Sequence, residues 1–365
     1  MIPISTRKMS KKICLLVTSL SSGGAEKVAA NMSVSLSNRG YAVTIVSMQN
    51  NIMYNYSGDL YNFGLVKEKY GKLKAFFKFK SFFKQHEFDV IIDHRLRNKY
   101  IKELVFSKLV FNRFKVVYCV HNYHLHYYFS FLNTPWLARI PHVKQHSFVA
   151  VCNTIQHHLK QELSITSKAI YNYVNTSQLS IPTQISTMPE NHIIGVGRLT
   201  KIKQFDVLIE SYLQSDLPHH NIKLLILGDG PEKKNLQDLI NTSRCKELIE
   251  LKPFIEQPYP LMKKAKALVL SSKFEGFPMV LLEGLALHTP LIAFDCKSGP
   301  NEIITHNVDG ILVENQNKQE LILALNALLN EEFYKKIKAN MALNSERFSE
   351  DTIIQEWENV FDNPK

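Results

Sequence analysis

Short unbroken apolar runs alternate with longer amphipathic stretches along almost the whole chain, and this alternation restricts the fold more than any other feature. The first 48 residues hold a strand at Ile13–Thr18, the turn SLSSGGAE, a helix from Glu26 to Asn38 closed by Gly40, and a second strand in YAVTIVSM. Together they make a βαβ unit with a glycine-rich turn after its first strand. FDVIID (88–93), FKVVYCV (114–120) and SFVAVC (147–152) continue the pattern, so the first half reads as a Rossmann-like sheet. The second half repeats it, with strands at Ile193–Val196, Lys223–Leu227, ELIELKPF, ALVLSS, LIAF and GILV. Helices are expected at Phe205–Leu213, Glu232–Asn241 and Pro260–Lys266, with a long helical region from Lys318. The aperiodic Pro/Ser/Thr segment from Thr176 to Asn191 reads as a linker. The expected domains are residues 1–185 and 186–345, with the amphipathic 346–365 segment packing back on the first domain.

A chain of 365 residues suits two domains. A composition of 45% hydrophobic and 21% charged residues excludes disorder as the governing state. The five cysteines are scattered without a C-x-x-C pair, as expected of free, mostly buried thiols in a reducing compartment. The basic N-terminus MIPISTRKMSKK leads into an apolar run, ICLLV, too short for a signal-peptide core. No 18-residue apolar stretch occurs, so a cytoplasmic location is expected.

The segment SSKFEGFPMVLLEG places two carboxylates eight residues apart at a strand-to-helix junction. A helix starting near Pro278 puts Glu275 just ahead of its N-terminus, where free amides and the helix dipole favour anions. Glu283 then lies roughly 7 Å further along the axis. Such a pair could hold hydroxyls of two sugar rings around a diphosphate; the plainer alternative is one capping and one solvated glutamate. Gly23 and Gly24, in GGAE, open a helix after a strand and could face an anion or simply turn the chain. Arg198 and Lys203, in GRLTKIKQFD, follow the first strand of the second half, where ligands gather. There they supply a guanidinium fork and a mobile ammonium, or serve as solvated loop cations. The turn GDGP borders the same position.

The order of these motifs (GGAE, GRL with Lys203, GDGP, the E-x7-E pair, SGPNEII and DGILV) resembles glycosyltransferase family 4 over nearly the whole length. The resemblance implies an α/β GT-B fold, two Rossmann-like domains facing across a cleft. It implies a hexosyltransferase that acts with retention, without an essential metal and without a cofactor, the nucleotide sugar being a substrate. By the same resemblance Arg198 and Lys203 bind the donor diphosphate, Glu275 meets sugar hydroxyls and Glu283 holds the ribose. Gly276 and Phe277 belong to the same donor-binding loop, and Gly23 and Gly24 line the cleft. His121, rather than His124 or His126, is expected to face the donor sugar. Asn153 stands where relatives usually carry serine. UDP is the favoured nucleotide, with GDP behind it, and the acceptor is expected to be a lipid-linked saccharide of bacterial O-antigen, capsule or lipooligosaccharide.

The formal charge is +11, and seven lysines from Lys67 to Lys84 interleave with Leu73, Phe76, Phe77, Phe79, Phe82 and Phe83. A basic helix with exposed aromatics can lie on anionic lipid, which makes the inner leaflet of the cytoplasmic membrane an expected partner and the protein peripheral there. The alternative buries the phenylalanines as an ordinary helix stripe. A nucleic-acid-binding protein would leave the paired glutamates and ordered glycine turns unexplained, so no nucleic-acid partner is expected. A GT-B epimerase or hydrolase acting on UDP-sugars is the nearer rival, and would consume donor without an acceptor.

Overall fold

The computed structural model describes residues 11–21, 23–179 and 191–362. The basic N-terminal stretch through Ser10, most of the expected linker and the expected boundary between residues 185 and 186 lie outside them. By internal contacts the chain forms two compact units: the described parts of Met1–Val151, Ile155–Ile170 and Ile353–Lys365, and those of Cys152–Thr154 and Tyr171–Thr352. The change of unit thus comes at Ile170/Tyr171, upstream of the expected boundary.

The first unit is built on a seven-stranded sheet: β1 (Lys12–Val17), β2 (Ala42–Ser47), β3 (Asp59–Asn62), β4 (Val90–Asp93), β5 (Val116–Val120), β6 (His146–Ala150) and β7 (Lys168–Ala169). Their order is β3-β2-β1-β4-β5-β6-β7, every pairing parallel. The second carries β8 (His192–Val196), β9 (Lys223–Leu227), β10 (Ile249–Lys252), β11 (Ala267–Leu270), β12 (Leu291–Asp295) and β13 (Gly310–Glu314), in the order β10-β9-β8-β11-β12-β13 and again all parallel. The central strands are mostly apolar because helices cover both faces of such sheets; their buried polar residues Ser47, Asp93 and His192 stand at strand ends. Ile13 to Leu16 and Leu224 to Ile226 are fully buried. The edge strands β3 and β7 were not expected: four and two residues long, without an apolar run, they carry no strand pattern of their own.

The lysine-rich segment forms the helix Phe63–Gln85, whose first turn is capped by the Asn62 side chain accepting from the Leu65 amide at 3.1 Å. Gly71, at φ 72° and ψ 166°, breaks it in a conformation that a Cβ would disfavour. Of Leu73, Phe76, Phe77, Phe79, Phe82 and Phe83, four pack inward. Phe79 and Phe83 are buried among Phe63, Phe106, Phe111 and Phe114, while Phe76 stacks on Phe106 and Phe82 on Tyr61. The buried stripe therefore takes more of this helix than its composition suggests. Leu73 and Phe77, one turn apart, remain 75% and 61% exposed. The helical region from Lys318 is two helices, Lys318–Ala327 and Glu331–Ser345, the second capped by Asn330 on the Phe333 amide.

Residues 353–362 of the final helix, Glu350–Asp362, pack within the first unit. Lys11 pairs with Asp362, Arg39 and Tyr41 both reach Glu358, and the Lys115 ammonium donates to the Val360 carbonyl at 2.6 Å. Tyr41 meets Phe361 edge-on, and Ile353, Ile354 and Trp357 are buried. Trp357→Ala should cost about 3–5 kcal/mol through the cavity it leaves. Urea unfolding followed in each unit separately should show the loss in the first; an unchanged midpoint there would mean that this helix contributes nothing to that core.

Candidate functional site

The expected donor residues of the second unit converge at the carboxyl ends of β8 and β11. The loop after β8 is tied to its neighbours by backbone bonds: the Gly197 amide donates to Leu227 and the Leu199 amide to Asp229. This puts GRL against the GDGP turn so closely that a Cβ on Gly228 would lie 1.9 Å from the Gly197 carbonyl oxygen. The glycine in that turn is therefore a packing requirement. From the other side, Ser271 Oγ donates to the carbonyls of Lys203 and Gln204 at 2.9 Å, and the Lys273 amide donates to Ile202 at 2.8 Å. These bonds set the two loops in register. The result is an ion pair between Lys203 Nζ and Glu275 Oε1 at 2.5 Å, both side chains largely covered. Arg198 on the same loop is exposed.

The turn carrying Glu275 is held in place by the SGPNEII segment. Ser298 Oγ donates to the carbonyls of Glu275 and Gly276 at 2.8 and 2.9 Å. Gly299, at φ 96°, sits where a Cβ would press on Pro278 and the Gly276 carbonyl. The helix Met279–Ala286 follows, with Pro278 at its N-cap and no side-chain cap. Glu283 lies inside this helix at 4% exposure, so a solvated glutamate is excluded. Phe277 follows Gly276 in the same loop. Its ring is buried against Tyr171, at 5.0 Å between centroids, and Phe348 at 5.7 Å, which leaves its main chain as the part able to meet a ligand.

Glu302, also in SGPNEII, carries a role that the motif alone did not reveal. It accepts from the amides of Asn153 and Thr154 at 2.9 Å, from the Thr154 hydroxyl at 2.7 Å and from the Tyr171 hydroxyl at 3.0 Å. It caps the start of the helix Asn153–Leu163, where unpaired amides and the dipole welcome a carboxylate. Burial by itself would raise its carboxyl, but these bonds outweigh burial and hold it below the ordinary value of 4.5. The Asn153 side-chain amide donates to Tyr171 Oη at 2.6 Å, so this departure from serine is absorbed by a local bond.

In the first unit Gly23 is the N-cap of the helix Gly24–Asn38, which has no side-chain cap, and Gly24 has open space where a Cβ would stand. His121 follows β5 directly, and its amide donates to Tyr128 Oη at 2.9 Å. Its ring lies against His94, a residue outside the expected set that follows the neighbouring strand β4. His94 Nδ1 and His121 Nε2 are 2.9 Å apart. The loop that presents His94, DHRLR, is fixed by buried charges. Asp93 and Glu103 both grip the Arg95 guanidinium, at 2.8 and 2.9 Å. Arg97 donates to the carbonyls of Asp93, Arg95 and Cys119. Four charged or titratable residues among the five from Asp93 to Arg97, at the end of a buried strand, were the signal for this cluster. Burial lowers His94 to about 4 and His121 well below the usual histidine value; Arg97 and, for His121, the neighbouring His94 add to the shift, and Asp93 partly opposes it at His94.

Residues 22–178 match the family model described as Glycosyltransferase Family 4, and residues 181–347 match that of Glycosyl transferases group 1. The amylovoran biosynthesis glycosyltransferase AmsD of Erwinia amylovora is 27% identical, over 96% of this chain and 99% of its own length. A Campylobacter jejuni enzyme named N-acetylgalactosamine-N,N'-diacetylbacillosaminyl-diphospho-undecaprenol 4-alpha-N-acetylgalactosaminyltransferase is 33% identical, over 50% of this chain and 51% of that one. Among solved structures, Anabaena HepE in complex with UDP superposes with a TM-score of 0.74 at 20% identity, covering 96% of this chain and 99% of that one.

Because the Glu302 carboxyl is held low in the folded chain, the stability it contributes is fully present above its unfolded value and is lost as pH falls through the folded one. Glu302→Gln should therefore flatten the dependence of unfolding free energy on pH below about 4.5 and lower stability at neutral pH by about 1–3 kcal/mol. Denaturant melts across that range test both; an acid limb as steep as in the unaltered protein would remove Glu302 from the account.

Proposed function

We propose that this chain, which belongs to the family 4 glycosyltransferases and has their GT-B fold of two Rossmann-like domains, moves a hexose or N-acetylhexosamine from a UDP-sugar to a lipid-linked saccharide. The product would serve bacterial O-antigen, capsule or lipooligosaccharide synthesis. The observation that carries this reading is the Lys203–Glu275 pair, held by two interlocked loops next to the uncapped helix start and the buried Glu283. An ammonium has three donors, so Lys203 can keep Glu275 oriented and still reach a diphosphate oxygen. Arg198, exposed on the same loop, can fork onto two more. With the amides of the helix start, these groups offset the charge that builds on a departing diphosphate.

Glu275 is then the positioner of the donor sugar and Glu283 the acceptor for ribose hydroxyls. A sugar whose leaving group departs while the acceptor hydroxyl enters on the same face keeps its anomeric configuration. A phosphate oxygen of the leaving group takes the proton, and the scheme asks for no metal ion. The nucleotide follows HepE, bound to UDP, and the lipid carrier follows the Campylobacter relative, whose name specifies a diphospho-undecaprenol substrate. AmsD and the Campylobacter enzyme are bacterial transferases, which supports the surface-polysaccharide setting.

A lipid carrier calls for a membrane face, and the helix Phe63–Gln85 offers one. Leu73 and Phe77 are exposed on it, and Lys69, Lys74 and Lys78 surround the Tyr70 ring at 5.5, 5.3 and 4.4 Å from its centroid. Among the described residues no helix is long and apolar enough to cross a membrane. We therefore assign the protein to the inner surface of the cytoplasmic membrane, held by apolar insertion and by lysines worth about 1 kcal/mol each near anionic lipid.

Two measurements test this. Calorimetric titration with UDP should show Glu283→Gln weakening binding ten-fold or more, about 1.4 kcal/mol, in a variant that still melts cooperatively. Unaltered affinity would remove Glu283 from the ribose, and donor consumption without acceptor would replace transfer by hydrolysis or epimerisation. In co-sedimentation with phosphatidylglycerol vesicles, Leu73→Asp combined with Phe77→Asp should reduce the bound fraction at least ten-fold, and phosphatidylcholine vesicles should bind little of either protein. Equal binding to both lipids would sink the electrostatic part of the assignment.

A further inference from the structure

The paired histidines at the ends of β4 and β5 have a definite proton arrangement. Their nitrogens are 2.9 Å apart and their ring centroids 5.1 Å, so the rings meet edge to edge with nitrogen facing nitrogen, as a hydrogen bond between two imidazoles requires. Two neutral rings share one N–H in such a contact, and either could be the donor. His94 decides between the two cases. It is 4% exposed, and among the described residues its Nε2 is buried with no hydrogen-bonding partner. If His121 donated, His94 would carry its own proton on Nε2 and bury an N–H with nothing to accept it. Orphaned buried N–H groups are rarer than orphaned acceptors, and an unsatisfied buried group costs heavily.

We propose that His94 Nδ1–H donates to His121 Nε2, fixing His121 as the Nδ1–H tautomer, so that His121 offers substrate a neutral N–H donor from Nδ1. His94 is thus a positioning residue that acts through His121. The orientation of a functional histidine is commonly set by the bond its other nitrogen makes; here the partner is a second histidine, itself fixed by the buried Asp93–Arg95–Glu103 cluster that starts at the adjacent residue. The part concerning substrate rests on His121 facing the donor sugar, while the tautomer stands without it.

Cys119 gives the same place a competing reading. One ligand atom each from His94, Cys119 and His121 lie within 4.8 Å of one another. A tetrahedral ion bound at about 2.0–2.1 Å would hold its two nitrogens roughly 3.4 Å apart, wider than the separation found. Burial also pushes the Cys119 thiol up, away from the thiolate that a metal would need.

Long-range proton–nitrogen NMR on the full chain labelled with 15N-histidine tests the tautomer directly. His94 and His121 should each show a protonated Nδ1 and a bare Nε2, unchanged between about pH 5.5 and 8, where an ordinary histidine titrates. His94→Phe should leave His121 a mixture of tautomers and lower kcat at least ten-fold with KM changed less than three-fold, while His94→Asn, whose amide can still donate, should recover part of both signals. A protonated Nε2 on His121 would overturn the proposal. So would a zinc titration that shifts both rings and is reversed by chelator. If instead the NMR pattern stands and His121→Ala keeps its turnover, the assignment of His121 to the donor sugar fails and the tautomer remains.

Discussion

A parallel sheet covered by helices on both faces has little room for polar side chains along its strands, so most of them collect where the strands end. In both units the carboxyl ends take that role: His94 and Arg95 after β4, His121 after β5, Arg198 and Lys203 after β8, and Glu275 after β11. Adjacent strands ending at one level bring residues far apart in the chain within bonding distance. The Lys203–Glu275 pair joins residues 72 positions apart and the His94–His121 pair joins residues 27 apart. Both candidate sites depend on that placement more than on any single side chain.

The loops at those ends differ in how they are stiffened. In the second unit main-chain bonds and close glycine contacts do it: Gly228 against Gly197, Gly299 against Pro278, Ser298 under Glu275. In the first unit buried charge does it, through Arg95 between Asp93 and Glu103 at 2% exposure. Removing one member of such a cluster strands a charge in a low-dielectric interior, which is far costlier than the intact cluster is favourable. One edge can therefore tolerate changes in side-chain charge that the other cannot.

Where an element announces itself by a local pattern, the sequence was a sufficient guide. The apolar runs at β1, β2, β4, β5, β8, β9, β11 and β12 mark those strands close to their observed limits, and the motifs around Glu275 and Lys203 single out two residues that the fold brings into contact. What escaped depends on partners distant in the chain. β3 and β7 exist because a neighbouring strand offers its edge, not because their own residues favour extension. The six apolar residues of the lysine-rich helix could be sorted into buried and exposed only once Phe106, Phe111 and Tyr61 were in place. The packing of the Phe277 ring on Tyr171 and Phe348, and the bonds from the amides of Asn153 and Thr154 to Glu302, likewise join residues far apart in the chain that no local motif connects.

The final helix sets an order of assembly. Trp357 and Phe361 complete the core of the first unit, yet they follow the whole of the second unit in the chain. Domains fold as units while the chain is made from its N-terminus, so on the ribosome the second unit has all of its strands before the first has its last helix. Until those residues emerge, the surface around Tyr41 and Lys115 stays open to water and to other chains. Chaperone protection during synthesis would be needed there, on the unit whose strands precede the second unit and whose last helix follows it.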